Sequence, residues 1–594
     1  MIKLSDYVIE FIVQQKINHI FEFIGGAITH LLDSVYQRDD VNCISVHHEQ
    51  SGAFAAEAYA RINGRLGVAM ATSGPGALNM VTGIGSCWFD SVPCLFITGQ
   101  VNTYEYKFDR PIRQIGFQET DIVSVVKPLT KYAELVSDAT MIRFHLEKAI
   151  YLARSGRPGP VLLDLPMDVQ RTRINPDELP GFLGSPEHVE MEMAYRKISH
   201  ADLATIAKML ADARRPVILA GGGVRTSGGA AQLLELVSRT GIPVVTSLMG
   251  LDAIPHDCPA FFGMIGAYGN RYSNMTLANS DLLLILGSRL DTRQTGTRPD
   301  TFARGAKRIH VDIDPLELNA KVQVHLAIQA DVAEFLAALN KQLECFTPPD
   351  LNEWYRTING YRDRYPTVSL PTEPPAIEPN RFMAQLSDHC REGEVVCLDV
   401  GQNQMWAGQS FRLKKGQRML ISGGMGAMGF ALPAALGATL AEREHGAVVI
   451  CGDGGIQVNI QELETIARLC LPVKIFIMNN GCLGMVRQFQ DMYFGGRQQS
   501  TVVGYGCPDL NRIADAYGIP SFIIDDAAKT EEIIAQAMSM SGPVFVNVLL
   551  EQISCVNPKL VVNRPIEDMS PHLERDELER EMLIGLVDEQ DVPD

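Results

Sequence analysis

The chain predicts an α/β protein made of three doubly wound, parallel-sheet domains. Short apolar runs that end in glycine alternate with helical periodicity through most of its 594 residues. That is the pattern of buried parallel strands joined by covering helices. Two segments rich in proline, glycine and charge, 175–187 and 348–379, interrupt the alternation and read as linkers. The stretch 448–480 holds a whole βαβ unit: an apolar run, a glycine turn, a helical repeat and a second apolar run. The expected units are 1–180, 190–345 and 370–565. An acidic tail follows over 566–594, with a short helix that frays at its end.

Taken in order, residues 5–15 are amphipathic and His19–Phe23 is a strand running into Gly25-Gly26. A strand over 43–46 leads through His47-His48-Glu49-Gln50 into a helix of small residues over 51–63. Strands follow at 67–72, ending in Ser73-Gly74-Pro75-Gly76, and at 93–98. In the second unit, strands at Pro216–Ala220, 242–246, 281–286 and 308–311 enter polar or glycine-rich turns. Those turns are Gly221-Gly222-Gly223, Ser247-Leu248-Met249-Gly250, Gly287-Ser288-Arg289 and Asp312-Ile313-Asp314. Strand ends of this kind suit a nucleotide, but the triple glycine is not the dinucleotide fingerprint, which disfavours an NAD oxidoreductase. In the third unit Val395–Leu398 leads to Gln402 and Asn403. Residues 448–451 lead to Gly452-Asp453-Gly454-Gly455, and 473–478 to Asn479-Asn480. Ile460, Leu463, Ile466 and Ala467 repeat at helical spacing between the last two.

Composition narrows the function classes. A net charge of −18 argues against a nucleic-acid surface. No apolar run approaches the roughly 20 residues of a membrane span. The start, Met1-Ile2-Lys3-Leu4, lacks the basic and apolar regions of a secretion signal. The 12 cysteines form no Cys-x-x-Cys pair, so they read as reduced thiols of a cytoplasmic protein.

The chemistry is concentrated at two junctions. Asp453 and Asn480 stand at the carboxyl ends of adjacent strands and offer oxygen ligands for a hard cation, which completes its shell with phosphate and water. The amides of Gly454 and Gly455 can meet phosphate oxygens. Gly-Asp-Gly alone is also what a capped helix start looks like. With the 24 residues 455–478 before Asn479-Asn480, the layout resembles the thiamine diphosphate and Mg²⁺ motif of thiamine diphosphate-dependent enzymes. The run from His47 through Glu49 to Arg61 resembles the pyrimidine-binding domain of the same family, which implies that Glu49 hydrogen-bonds the aminopyrimidine. Alone, Glu49 would be a helix N-terminal carboxylate.

Other segments resemble the acetolactate synthase branch. There Gly26, Phe117 and Gln118 would line the donor site, and Arg293, in Asp291-Thr292-Arg293, would grip the acceptor's carboxylate. The resemblance places Gln402 and Asn403 on the diphosphate, the Gly426 carbonyl on the 4′-amino group and Met428 between the cofactor's two rings. Asp453, Asn480 and the Cys482 backbone oxygen would hold Mg²⁺. Gly222, Leu248, Gly266, Arg289, Asp312 and Ile313 would lie along an FAD without a redox step. A carboligase follows, taking two carbons from a 2-oxo acid such as pyruvate to a second carbonyl. Glu49 would come from one subunit and Asp453 from its partner, in a homodimer or homotetramer. Departures at Glu22-Phe23-Ile24 and Thr292 leave a nucleotide-linked keto sugar open as an alternative acceptor. A non-catalytic scaffold is disfavoured by Glu49, Asp453 and Asn480 occurring together.

Overall fold

A computed structural model describes residues 1–193, 198–368 and 376–587. Three six-stranded sheets, parallel throughout, carry the chain. In the first, the strands lie in the order Asn42–Ser45, His19–Phe23, Gly67–Ala71, Cys94–Gln100, Val161–Pro166, Tyr132–Leu135. The third repeats that order with Arg418–Ile421, Val395–Leu398, Ala447–Gly452, Val473–Asn479, Val544–Leu549, Ser521–Ile524. The middle sheet runs Phe261–Met264, Val244–Thr246, Pro216–Ala220, Leu282–Leu286, Lys307–Asp312, Leu326–Gln329. Its chain order is 3-2-1-4-5-6, the dinucleotide-binding arrangement.

Each sheet therefore has a switch point where successive crossovers diverge, and ligands bind at the carboxyl edge there. In the first sheet the switch lies between His19–Phe23 and Gly67–Ala71, and Gly25 meets Thr72 across it. A Cβ on Gly25 would stand 2.4 Å from the Thr72 Cβ. In the third it lies between Val395–Leu398 and Ala447–Gly452, the strands that lead to Gln402 and Asp453.

The first and third units share one core. The helix Glu49–Asn63 is capped by the His48 ring, which accepts the Gln50 N–H, and ends at Gly64 with φ +68°. Its alanines and glycine leave room for the helix Ala431–Ala441, and Phe54 meets Phe430 edge-on with centroids 5.4 Å apart. The Leu282–Leu286 strand and its neighbours form separate central cores.

The segment 348–379 is more than a connector. It contains the helix Asn352–Arg364, whose Trp354, Ile358 and Tyr361 are buried against the middle sheet. Residues 369–375 of that segment lie outside the described residues, as does 588–594 of the tail. The tail's helix is Arg575–Glu581, and Leu578 packs it onto the central core.

Candidate active site

Asp453 opens a one-turn helix, Asp453–Ile456, directly after its strand, and is almost wholly buried. Burial raises its carboxyl above the usual range, opposed by the Tyr505 hydroxyl and by the N–H groups of Asp453, Asn480 and Gly454. Asn480 follows the neighbouring strand, which pairs Met478 with Gly452. Its Nδ2 donates to Gln402 Oε1 at 2.9 Å. Gln402 in turn donates to Gln488 Oε1 at 3.1 Å and to the Ser554 carbonyl at 3.0 Å. This chain of amides fixes the Asn480 side chain, whose Oδ1 takes only a long 3.4 Å contact from the Cys482 N–H.

One carboxylate and one amide oxygen at adjacent strand ends would suit Mg²⁺ sharing a phosphate, and the nearby Cys482 carbonyl, which accepts the Gly484 N–H at 3.0 Å, keeps a second lone pair. Among the described residues no cluster of three or more His, Cys, Asp or Glu competes for a metal. The turn itself fits a diphosphate. A Cβ on Gly454 would stand 2.5 Å from Leu483 Cδ2, and one on Gly455 2.6 Å from Asp399 Oδ1. Neither position has room for a side chain, so the turn stays bare backbone at a strand end, where N–H groups can meet phosphate. Met428 Cε lies 3.5 Å from that Gly454 position, and Gly426, φ +67°, has open space on its Cβ side.

Asn403 departs from expectation. Both its amide hydrogens are spent on backbone, on the Asp399 carbonyl at 2.7 Å and the Ile450 carbonyl at 3.2 Å. It braces the turn at the switch point, and those two bonds commit its side-chain amide within the chain.

Glu49 is buried at the first position of its helix. Asn79 Nδ2 donates to its Oε2 at 2.9 Å, and its Oε1 lies 3.0 Å from the Cβ position of Gly76. No hydrogen bond among the described residues joins Glu49 to Asp453 or Asn480. Gly26 opens a short 3₁₀ turn after the first strand, with nothing near its Cβ position. Phe117 is 86% exposed. Gln118, with φ +65°, packs its backbone carbonyl against Gly74, 3.0 Å from the Cβ position there. The buried Glu119 holds this loop by accepting the N–H groups of Lys107 and Gly116, at 2.7 and 3.3 Å.

A cavity of about 460 Å³ lies at the carboxyl edge of the middle sheet. Gly222, Leu248, Arg289, Asp312 and Ile313 line it, with Arg293 at one end. A neighbouring cavity of about 710 Å³ shares Arg157, Arg289 and Ile313. Arg225 Nε is buried in the wall 3.6 Å from Asp252 Oδ1, so this cation is paired within the chain, while Arg157 and Arg289 add positive charge that suits an anionic diphosphate. These features fit a flavin dinucleotide. Gly266 is not on the wall. Its φ of +114° and a Cβ position 2.4 Å from the Arg293 carbonyl give it a backbone role.

Several residues escaped the sequence reading: Asn79, Tyr505, Gln488 and Lys559. Lys559 is nearly buried, with its ammonium facing the Tyr268, Phe489 and Tyr493 rings at 5.9, 5.5 and 5.6 Å. None of them sits in a repeat or a fixed spacing, so no local pattern marks them.

A buried carboxylate and amide beside a glycine turn, with a second carboxylate at another domain's switch point, define an enzyme that works through a diphosphate-bearing cofactor. Comparison with known families agrees. Residues 2–125 match the N-terminal TPP binding domain of thiamine pyrophosphate enzymes, 203–339 their central domain and 399–548 their C-terminal TPP binding domain. Acetolactate synthase 2, chloroplastic, of Nicotiana tabacum is 36% identical over 584 residues, 96% of this chain and 85% of that protein. The acetolactate synthase large subunit of Pyropia yezoensis is 36% identical over 543 residues, 90% of each chain. Acetolactate synthase, chloroplastic, of Arabidopsis thaliana is 36% identical over 92% of this chain and 81% of its own. The chain belongs to the thiamine diphosphate-dependent enzymes, in the acetolactate synthase family.

Proposed function

We propose that the protein decarboxylates pyruvate and joins the remaining two-carbon unit to a second pyruvate, giving acetolactate. The observation that carries this reading is the Asp453–Asn480–Gln402 cluster over a bare glycine turn, in a chain alike to acetolactate synthases along nearly its whole length. The relatives do not favour the nucleotide-linked sugar as acceptor.

Thiamine diphosphate, when bound, supplies the carbon that adds to the 2-oxo acid and the ring that accepts the electron pair left by CO₂. The protein's share is binding, orientation and proton placement. Asp453, Asn480 and the Cys482 carbonyl hold Mg²⁺, and the Gly454 and Gly455 N–H groups meet the diphosphate. Glu49 holds a proton at N1′ of the aminopyrimidine, with Asn79 fixing its free oxygen. Met428, whose Cε lies 3.5 Å from the Gly454 Cβ position, and the Gly426 carbonyl would hold the cofactor's ring portion. Gly26, Phe117 and Gln118 face the donor keto acid, and Arg293 grips the acceptor's carboxylate. Gly222, Leu248, Arg289, Asp312 and Ile313 would hold an FAD in the central cavity, where it would serve as a structural part without a redox step.

We read the units 1–180, 190–345 and 370–565 as the pyrimidine, flavin and diphosphate domains. A homodimer is the smallest working assembly in this reading, with a tetramer compatible. Its support is that Glu49 has no link to the metal cluster of its own chain, while apolar Leu78 and Phe117 on one side and Val458 and Val486 on the other stand exposed. A cytoplasmic setting is supported by twelve free thiols. Among the described residues no helix is long and apolar enough to cross a membrane.

Mass spectrometry of products from ¹³C-pyruvate with thiamine diphosphate, Mg²⁺ and FAD tests the proposal. Labelled acetolactate and CO₂ are expected, and both should vanish in Asp453→Ala. Pyruvate left intact by the wild type, with or without other keto acceptors, would refute it.

A further inference from the structure

Tyr505 lies in a loop that no expected site includes, yet its hydroxyl donates to Asp453 Oδ2 at 2.6 Å. The same hydroxyl lies 3.4 Å from the Cβ position of Gly454, and Gln457 Nε2 reaches it at 3.5 Å. Four residues earlier the Thr501 carbonyl accepts the Leu483 N–H at 3.0 Å, and Thr501 is buried with its hydroxyl on Gln490 Oε1 at 2.5 Å. The segment 501–505 thus ties the turn after Asn480 to the carboxylate of Asp453. It braces the two edges of the cation site from outside.

We infer that Tyr505 is a positioning residue that makes Asp453 a one-oxygen ligand and so biases the site toward Mg²⁺ over Ca²⁺. The hydroxyl holds Oδ2, and among the described residues no side chain bonds Oδ1, which would face the cation. Mg²⁺ takes single oxygens in a near-octahedral shell at about 2.0–2.1 Å, whereas Ca²⁺ accepts bidentate carboxylates at about 2.3–2.6 Å. Freeing Oδ2 removes an orienting bond that the small ion needs and opens the two-oxygen grip that suits the larger one. Outer partners of this kind typically change metal affinity by about 10–100-fold. The inference rests on the assignment of Asp453 to Mg²⁺ and thiamine diphosphate.

The test is calorimetric titration of thiamine diphosphate into the full chain, with Mg²⁺ or Ca²⁺ varied, for wild type and Tyr505→Phe. The wild type should bind with a strong preference for Mg²⁺. In Tyr505→Phe the apparent Mg²⁺ affinity should fall about tenfold, Ca²⁺ affinity should fall less or rise, and the thermal midpoint should hold. Equal loss for both ions would show general loosening and overturn the inference, as would unchanged binding of both. Wild-type binding that needs no divalent ion would instead defeat the underlying assignment of Asp453, and this inference with it.

Discussion

Asp164 is enclosed in the first sheet, where the Thr98 hydroxyl and the Gln100 amide donate to it at 2.7 and 2.9 Å. Burial outweighs both donors and pushes it up to about 7. An acid raised in the folded state favours its protonated form there. Its contribution is complete below the ordinary carboxylate range and is lost as pH rises through 7. His256 works in the opposite sense, pushed down to about 4 by burial. Its Nδ1 accepts the Leu413 N–H at 3.1 Å while Nε2 faces the Leu251 carbonyl at 2.9 Å. That contribution is complete above 6.5 and lost as pH falls through 4. Above pH 6.5 His256 no longer contributes, and Glu57, pushed up to about 8 by burial, acts in the same sense as Asp164, so the thermal midpoint should decline from about pH 6.5 to 8 and decline less in Asp164→Asn. A flat profile in the wild type would contradict this. At this scale the places of Asp453, Asn480 and Glu49, each ending a strand or opening a helix, were legible because they fall at fixed points in a long pattern. Asn403 was expected on the diphosphate; its amide hydrogens go to carbonyls that only the folded switch point brings near, which no local pattern shows.

The helix Glu49–Asn63 shows how an element carries the site. Its small residues read from sequence as a helix, but their purpose is visible only in the pair it makes with Ala431–Ala441. A Cβ on Gly437 would stand 1.9 Å from the Ala55 carbonyl oxygen, and one on Gly67 1.9 Å from that of Ala56. Neither carbonyl can yield without moving helix backbone. Gly437→Ala should therefore cost roughly 1–3 kcal/mol, read as a lower urea midpoint with unchanged slope. An unchanged midpoint would mean that the two helices separate freely. The strands were legible because parallel sheets bury both faces and leave plain apolar runs. The helix Asn352–Arg364 was hidden by the prolines around it, although Trp354, Ile358 and Tyr361 keep helical spacing.

At the scale of the molecule, the same strand order in the first and third sheets puts two switch points on one shared core. The middle sheet adds the dinucleotide order. Fold class was legible from alternation alone, whereas strand order was not, because lateral pairing leaves no trace in local sequence. Glu49 is bonded to Asn79, and among the described residues no hydrogen bond joins it to Asp453 within one chain. The account requires each site to combine Glu49 of one copy with Asp453 of another. Glu49→Gln and Asp453→Ala, each purified alone, should turn over pyruvate at least about 100-fold more slowly, a barrier increase of ~2.7 kcal/mol. Co-expressed, they form mixed dimers in which one site carries both changes and the other carries neither. Acetolactate formation from pyruvate by the co-expressed pair is the measurement that decides. About a quarter of wild-type activity should return, the share of intact sites in random C₂ pairing. Full activity in either variant alone, or no recovery from mixed dimers shown to form, would contradict the account.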